Sequence, residues 1–212
     1  MILYLVRHGE STYNVEGRLQ GQSNEPRLSP LGERHAAALA AALAQQPIEA
    51  IFSSPLTRAM ETARPLADAL KLPIATDDRL KEINIGVFQG LLAAEIGDVH
   101  PEATARWRSG DPDFRIPGGE SRRDLMRRAG AALDAIRATN YRQAAIVAHG
   151  GVLAAALKSL LAVPAERNPF MLYNGSISRL EWESQVKLMT LNQTDHLRSA
   201  GCELATRTGD LA

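Results

Sequence analysis

A chain of 212 residues with 45% hydrophobic side chains can bury a sizeable core, and its length predicts one domain or one domain with an insertion. Its 24 Lys and Arg balance 24 Asp and Glu, so no global field draws it to nucleic acid or to an anionic membrane, and any anion site has to be built locally. Cys202 is the single cysteine, which excludes an internal disulfide and a Cys-rich metal site; with no apolar stretch of membrane-spanning length and Arg7 and His8 interrupting the first apolar run, the expectation is a soluble, cytoplasmic protein without a signal peptide.

Ile2-Leu3-Tyr4-Leu5-Val6 predicts a buried strand, followed by a polar loop from Gly9 to Leu28. Ser29-Pro30 supplies an N-cap and a first helical residue, opening an alanine-rich helix to about Gln46 that Pro47 ends. Ala50-Ile51-Phe52 predicts a second strand, closed by Ser53-Ser54-Pro55. The helix from about Pro55 to Leu70 contains Pro65, which predicts a kink. Leu72 to Thr76 reads as a short third strand. Residues 77–119 are less regular and rich in Gly and Pro, with one or two short helices. Glu120 to Thr139 predicts an amphipathic helix, with Leu125, Ala129, Ala132, Leu133 and Ile136 on one face. Ala144 to Ala148 is an uninterrupted apolar run of the buried parallel type, and His149-Gly150-Gly151 turns from it into a helix to about Leu161. Strands near Ser176–Trp182 and Lys187–Asn192 predict a hairpin. The polar tail after Asp195 predicts partial disorder.

Strands alternating with helices predict an α/β fold, a three-layer α/β/α sandwich around a mostly parallel central sheet. The whole of 1–212 reads as one domain, with an irregular insertion at about 83–119 lying over one end of the sheet. Three strand ends then carry chemistry to one edge, where ligand sites of open α/β sheets lie. The first delivers Arg7 and His8, the second Ser53-Ser54-Pro55-Leu56-Thr57-Arg58, the third His149-Gly150-Gly151. Arg7 and Arg58 are permanent, forked cations suited to phosphate. A neutral histidine is a nucleophile. Arg58 and Gly150 fall at helix starts, where backbone N–H groups and the dipole favour an anion. The constellation reads as a site at which His8 attacks a phosphoryl group.

The chain resembles the histidine phosphatase superfamily, the phosphoglycerate-mutase-like proteins. The resemblance rests on Leu5-Val6-Arg7-His8-Gly9-Glu10-Ser11-Thr12-Tyr13-Asn14, Ser53-Ser54-Pro55-Leu56-Thr57-Arg58-Ala59, Leu80-Lys81-Glu82 and Ala148-His149-Gly150-Gly151, in that family's order. It implies a phosphoglycerate mutase-like fold and a two-step phosphoryl transfer through a phosphohistidine on His8. Arg7, Arg58 and His149 would surround the phosphoryl oxygens, Asn14 would add a hydrogen bond, and Glu82 would serve as proton donor and then base. Gln20 and Gly21 lie where the family's loop approaches substrate, and Gly150 where the last motif meets the phosphate. No metal is expected, since protein cations already neutralise the charge.

Gly-Gly-Val-Leu at 150–153, Gly17-Arg18-Leu19-Gln20-Gly21-Gln22-Ser23 and Ile116-Pro117-Gly118-Gly119-Glu120-Ser121 are similar to the phosphatase branch, which implies a metal-independent phosphomonoesterase acting on a small phosphorylated metabolite. The alternative is a 2,3-bisphosphoglycerate-dependent phosphoglycerate mutase, the one case that needs that cofactor. A catalytically silent phosphate-binding module is a third reading, against which His8 and Glu82 both stand. A homodimer is plausible by resemblance alone. One departure from the pattern is Asn24-Glu25-Pro26-Arg27, where the phosphatases usually carry Asp-x-Pro without the extra Arg27. His35, His100 and His196 read as structural or solvated, and Trp107 and Phe88 as packing the insertion ahead of the alternative that they line the pocket. The Arg122, Arg123, Arg127 and Arg128 run reads as a solvated helix face, with a substrate role open for Arg122 or Arg123.

Overall fold

The computed structural model describes residues 1–204. Its centre is a six-stranded sheet built from β1 (Ile2–Arg7), β2 (Ala50–Ser53), β3 (Ile74–Thr76), β4 (Gln143–Ala148), β5 (Ile177–Trp182) and β6 (Val186–Gln193), in the spatial order β3-β2-β4-β1-β5-β6. The first four strands of that order are parallel, and the β5–β6 hairpin closes one edge antiparallel. Pairing of Arg7 with Ala148 and of Ser53 with Val147 brings the carboxyl ends of β1, β2 and β4 level with one another.

Period-2 alternation sorts these strands between two cores. Tyr4, Val6, Ile51, Ala145 and Val147 face α2 (Pro30–Leu43) and α3 (Thr57–Leu70). Leu3, Leu5, Ala144, Ile146 and Ala148 face α6 (Arg122–Arg137) and α7 (Gly150–Leu160). Helices thus cover both faces, as a central sheet apolar on both sides requires. Ser29 caps α2 by accepting from the Gly32 N–H with Pro30 in the first turn, and α6 starts on a capping box between Ser121 and Asp124. Pro65 lies inside α3, and the helix continues through it to Leu70.

Two helices depart from the sequence reading. In the loop expected from Gly9 to Leu28, Thr12–Glu16 forms α1, held by a capping box between Ser11 and Asn14 and ended by Gly17 at φ 70°. Past Asp195, where a disordered tail was expected, Asp195–Ser199 forms α8, whose Leu197 packs with Ala38 of α2 and Cys202; the rest of that tail lies outside the described residues. Residues 83–119 contain a 3-10 turn, Gly86–Phe88, and two short helices, α4 (Ile96–Val99) and α5 (Pro101–Arg108). Among the described residues no helix is long and apolar enough to cross a membrane.

Candidate active site

At the level strand ends a cleft of about 320 Å³ opens. His8 lies at its floor, 1% exposed, its N–H donating to the carbonyl of Ala148 on the adjacent strand at 2.9 Å. Its Nδ1 is 2.6 Å from the carbonyl oxygen of Gly9. A carbonyl can only accept, so Nδ1 carries the hydrogen and Nε2 keeps its lone pair. Arg58 Nε donates to that same Nε2 at 3.3 Å, which agrees with this tautomer. Burial first, then Arg58 and Arg7, hold His8 well below the ordinary histidine range, with the Gly9 bond opposing. A neutral, oriented imidazole flanked by two guanidinium groups can attack an anionic phosphorus centre.

Arg58, in the first turn of α3, is held by carbonyls of the loop that precedes it in the cleft wall: Nη2 donates to Gly21 at 2.9 Å and Nη1 to Ser23 at 3.0 Å. The loop is pinned in turn by Asn24, whose Oδ1 accepts from the Thr57 N–H at 2.9 Å and caps α3 from outside. Arg27 leaves this loop to pair with Glu61 on the surface. The departure at Asn24–Arg27 therefore supports Arg58 and α3. Arg7 Nη1 donates to the Leu172 carbonyl. His149 stands behind His8, ring centroids 5.1 Å apart, with Nε2 2.8 Å from Ser54 Oγ and Nδ1 buried without a partner. It too is well below the ordinary histidine range, by burial first, then Arg58, His8, Arg7 and Arg128.

Glu82 follows the 3-10 turn Asp78–Leu80 and lands on the first turn of α7. Its Oε2 accepts from the Gly151 N–H at 2.8 Å and its Oε1 from the Val152 N–H at 3.0 Å, besides its own neighbour Ile83 at 2.7 Å. No side chain of α7 caps that helix; Glu82 does so across the cleft and satisfies two of its orphan donors. The helix-start donors expected to face an anion are thus occupied at Gly151 and Val152 by a carboxylate. Arg128 of α6 fixes the segment, donating to the carbonyls of Arg79, Lys81 and Glu82 while paired with Glu120 at 2.6 Å.

The structure brings Arg7, His8, Gln20, Gly21, Arg58, Glu82 and Gly150 together in the cleft lining. Gln20 accepts from Ser11 Oγ at 2.8 Å and leaves its buried Nε2 without a partner. Asn14 and His149 are not in the lining: His149 is fully buried behind His8, and Asn14 Oδ1 accepts from Ser11 and from Asn174, so it is tied into α1's cap beside the site. Asn174 is a residue the sequence reading missed. Its Nδ2 lies within hydrogen-bond distance of the His8 and Gly9 carbonyls, and Asn-Gly at 174–175 was a turn signal just before β5. Residues 165–172, between α7 and β5, form a further cleft wall that carried no motif. Trp107 and Phe88 are buried; Trp107 also lines the cleft under Arg122, which leaves the solvated face assigned to it. His35 and His196 accept structural roles through the Glu203 and Gly175 carbonyls. Among the described residues no group of three or more His, Cys, Asp or Glu side chains is placed to hold a metal.

The family model of the histidine phosphatase superfamily (branch 1) matches residues 3–194. A "probable phosphoglycerate mutase GpmB" of Yersinia pestis is 39% identical over 187 residues, 85% of each chain. A mycobacterial glucosyl-3-phosphoglycerate phosphatase in complex with VO3 superposes with TM-score 0.81 at 35% identity, covering 91% of this chain and 99% of that one. The alpha-ribazole phosphatase of Shigella flexneri does so with TM-score 0.84 at 27% identity, over 91% and 96%.

Proposed function

This chain belongs to the histidine phosphatase superfamily (branch 1), and from that premise we propose that it is a metal-independent phosphomonoesterase acting on a small phosphorylated metabolite through a phosphohistidine on His8. The observation that carries this reading is the fixed His8 tautomer, with Nδ1–H on the Gly9 carbonyl and Nε2 aimed at Arg58. In the first step the Nε2 lone pair forms the N–P bond while the P–O bond to the leaving group breaks. Glu82 must first exchange its carboxylate state for the acid; it then delivers that proton to the leaving oxygen, while Arg7 and Arg58 in the cleft lining take up the charge on the phosphoryl oxygens, with His149 behind His8. In the second step water attacks phosphorus, the N–P bond breaks, Glu82 takes the water's proton, and phosphate leaves with His8 restored.

Transfer to water, rather than back to a bound phosphoglycerate, is supported by the likeness to two phosphatase structures and by Gly-Gly-Val-Leu at 150–153. The mutase reading draws on the GpmB relative and would require 2,3-bisphosphoglycerate as cofactor. The test is turnover of p-nitrophenyl phosphate and 3-phosphoglycerate in chelator, each with and without 2,3-bisphosphoglycerate, with His8→Ala as control. Phosphate release that needs no bisphosphoglycerate and is lost in the variant is the expected result. Formation of 2-phosphoglycerate only with bisphosphoglycerate would replace it with the mutase.

A further inference from the structure

The cleft has a second polar end that this chemistry leaves unused. Gly151, Ala154, Ala155 and Lys158 line one wall of it, at the i, i+3, i+4, i+7 spacing of a single helix face. Lys158 therefore stands about 10 Å along α7 from Gly151, where Glu82 sits, at 1.5 Å rise per residue. Lys158 is only 5% exposed, yet its Nζ donates to a single carbonyl, Ala165 at 3.2 Å. An ammonium has three N–H donors, and Lys158 makes no ion pair among the described residues. On the facing wall the Arg122 guanidinium lies 3.5 Å over the Trp107 ring and donates only to the Trp107 carbonyl, at 3.1 Å. It too makes no ion pair among the described residues. Glu166 also lines the cleft but is exposed.

Both cations are held below their usual ranges, and Arg122 adds to the depression of Lys158. The Lys158 ammonium is held below its usual range by burial first and by Arg122 second, with Glu166 opposing; Arg122 is lowered by burial, with Asp111 opposing. Withdrawing two like charges from water beside one another costs free energy unless a counter-charge arrives. Leu19, Ile83, Leu125 and Phe170 add apolar walls to the same cleft. We propose that the substrate is a phosphomonoester bearing a second anionic group, a carboxylate or a further phosphate, which Lys158 and Arg122 hold at the far end of the cleft. The spacer between the two anions presents an apolar face to those walls. The inference takes the phosphoryl end from the function proposed above and adds the substrate class.

Calorimetric binding of non-hydrolysable phosphonates to the intact protein tests it without requiring turnover. Hexylphosphonate, 6-phosphonohexanoate and hexane-1,6-bisphosphonate share a phosphoryl end and differ only at the tail. At least one anionic tail should bind at least tenfold tighter than hexylphosphonate, and which of the two gains more identifies the anion. That ratio should collapse toward one in Lys158→Met and Arg122→Gln and persist in Lys158→Arg. Thermal melts identify a variant that fails to fold, in which case the other carries the test. Equal affinities in the unaltered protein, or a preference surviving in either variant that folds, overturn the proposal. Release of p-nitrophenol by the unaltered protein and by His8→Ala is read in parallel. If that release is absent while the tail preference holds, the catalytic reading fails and the anion site stands.

Discussion

Gly151→Ala is the sharpest probe of how the cleft is wired. Gly151 is not among the positive-φ residues, and it lies in the first turn of α7, so alanine fits the backbone and gains helix propensity. The obstacle is Glu82. A Cβ at position 151 would stand 2.5 Å from its Oε1, 3.1 Å from its Cδ and 3.2 Å from its Oε2. The helix backbone cannot yield, so Oε1 must retreat by about 1 Å to reach an ordinary separation of roughly 3.5 Å. Both bonds to α7, now 2.8 and 3.0 Å, are then lost or badly stretched. A misplacement of about 1 Å in a catalytic group costs on the order of 10²-fold, and the whole acid–base contribution is about 10²–10⁴-fold. We expect kcat for an alkyl phosphate to fall roughly 10²-fold. With p-nitrophenyl phosphate the leaving group departs as a stable anion and needs no proton. The first turnover should therefore survive as a burst stoichiometric with enzyme, and the steady state should then slow, because release of phosphate from His8 still needs the base. Rapid-quench measurement of both substrates, with Glu82→Gln alongside, decides the matter. Equal losses in the burst and in alkyl phosphate turnover, or no loss in either, would refute the assignment of Glu82 to the proton.

The other predictions each need one assay. His8→Ala should lower phosphate release by at least about 10³-fold, and acid-labile, base-stable phosphate on the unaltered protein after quenching should be absent from the variant. Arg58→Lys should cost roughly 10²-fold in kcat/KM and about 1–3 kcal/mol in urea denaturation, because the Gly21 and Ser23 carbonyls lose a fork that lysine cannot reproduce. Arg128→Met should destabilise by about 1–3 kcal/mol, since the Glu120 carboxylate loses its cation and keeps only the Asn84 N–H, and should lower kcat more for alkyl than for aryl phosphates by freeing the Glu82 segment. His8 and His149 are depressed by burial first and then by Arg58, so below the ordinary histidine value near 6.5 the unfolded chain binds protons that the native state refuses. The stability they confer is complete above that pH and is lost as pH falls, with a slope approaching about 2.7 kcal/mol per unit for the pair. A urea midpoint that stays constant from pH 7.5 to pH 5 would show that the two are not neutral in the folded state.

What the sequence could and could not reveal follows from where the forces act. The strands were legible because each is a short apolar run buried on both faces, and Arg7, His8, Arg58 and His149 follow such runs directly. Local chemistry sufficed there. α1 escaped notice because it has only five residues and its capping box uses Asn14 where the usual signal is Glu or Gln. α8 escaped because a single buried side chain, Leu197, anchors it, and one apolar residue makes no periodicity. The wall at 165–172 has no pattern of its own, since its place is set by the crossover from α7 to β5. The hardest feature to foresee was how polar groups are spent. A helix start beside a phosphate-seeking histidine reads as an anion trap, yet Glu82, 69 residues before Gly151, occupies those donors itself. Arginine at a helix start reads as a phosphate clamp, yet part of Arg58's fork already holds Gly21 and Ser23. Each group keeps the chemistry its residue type suggests, while tertiary partners decide which of its hydrogen bonds remain for a substrate. By that measure the far end of the cleft stands out, because Lys158 and Arg122 are the buried and half-buried cations there whose donors the fold leaves largely unspent.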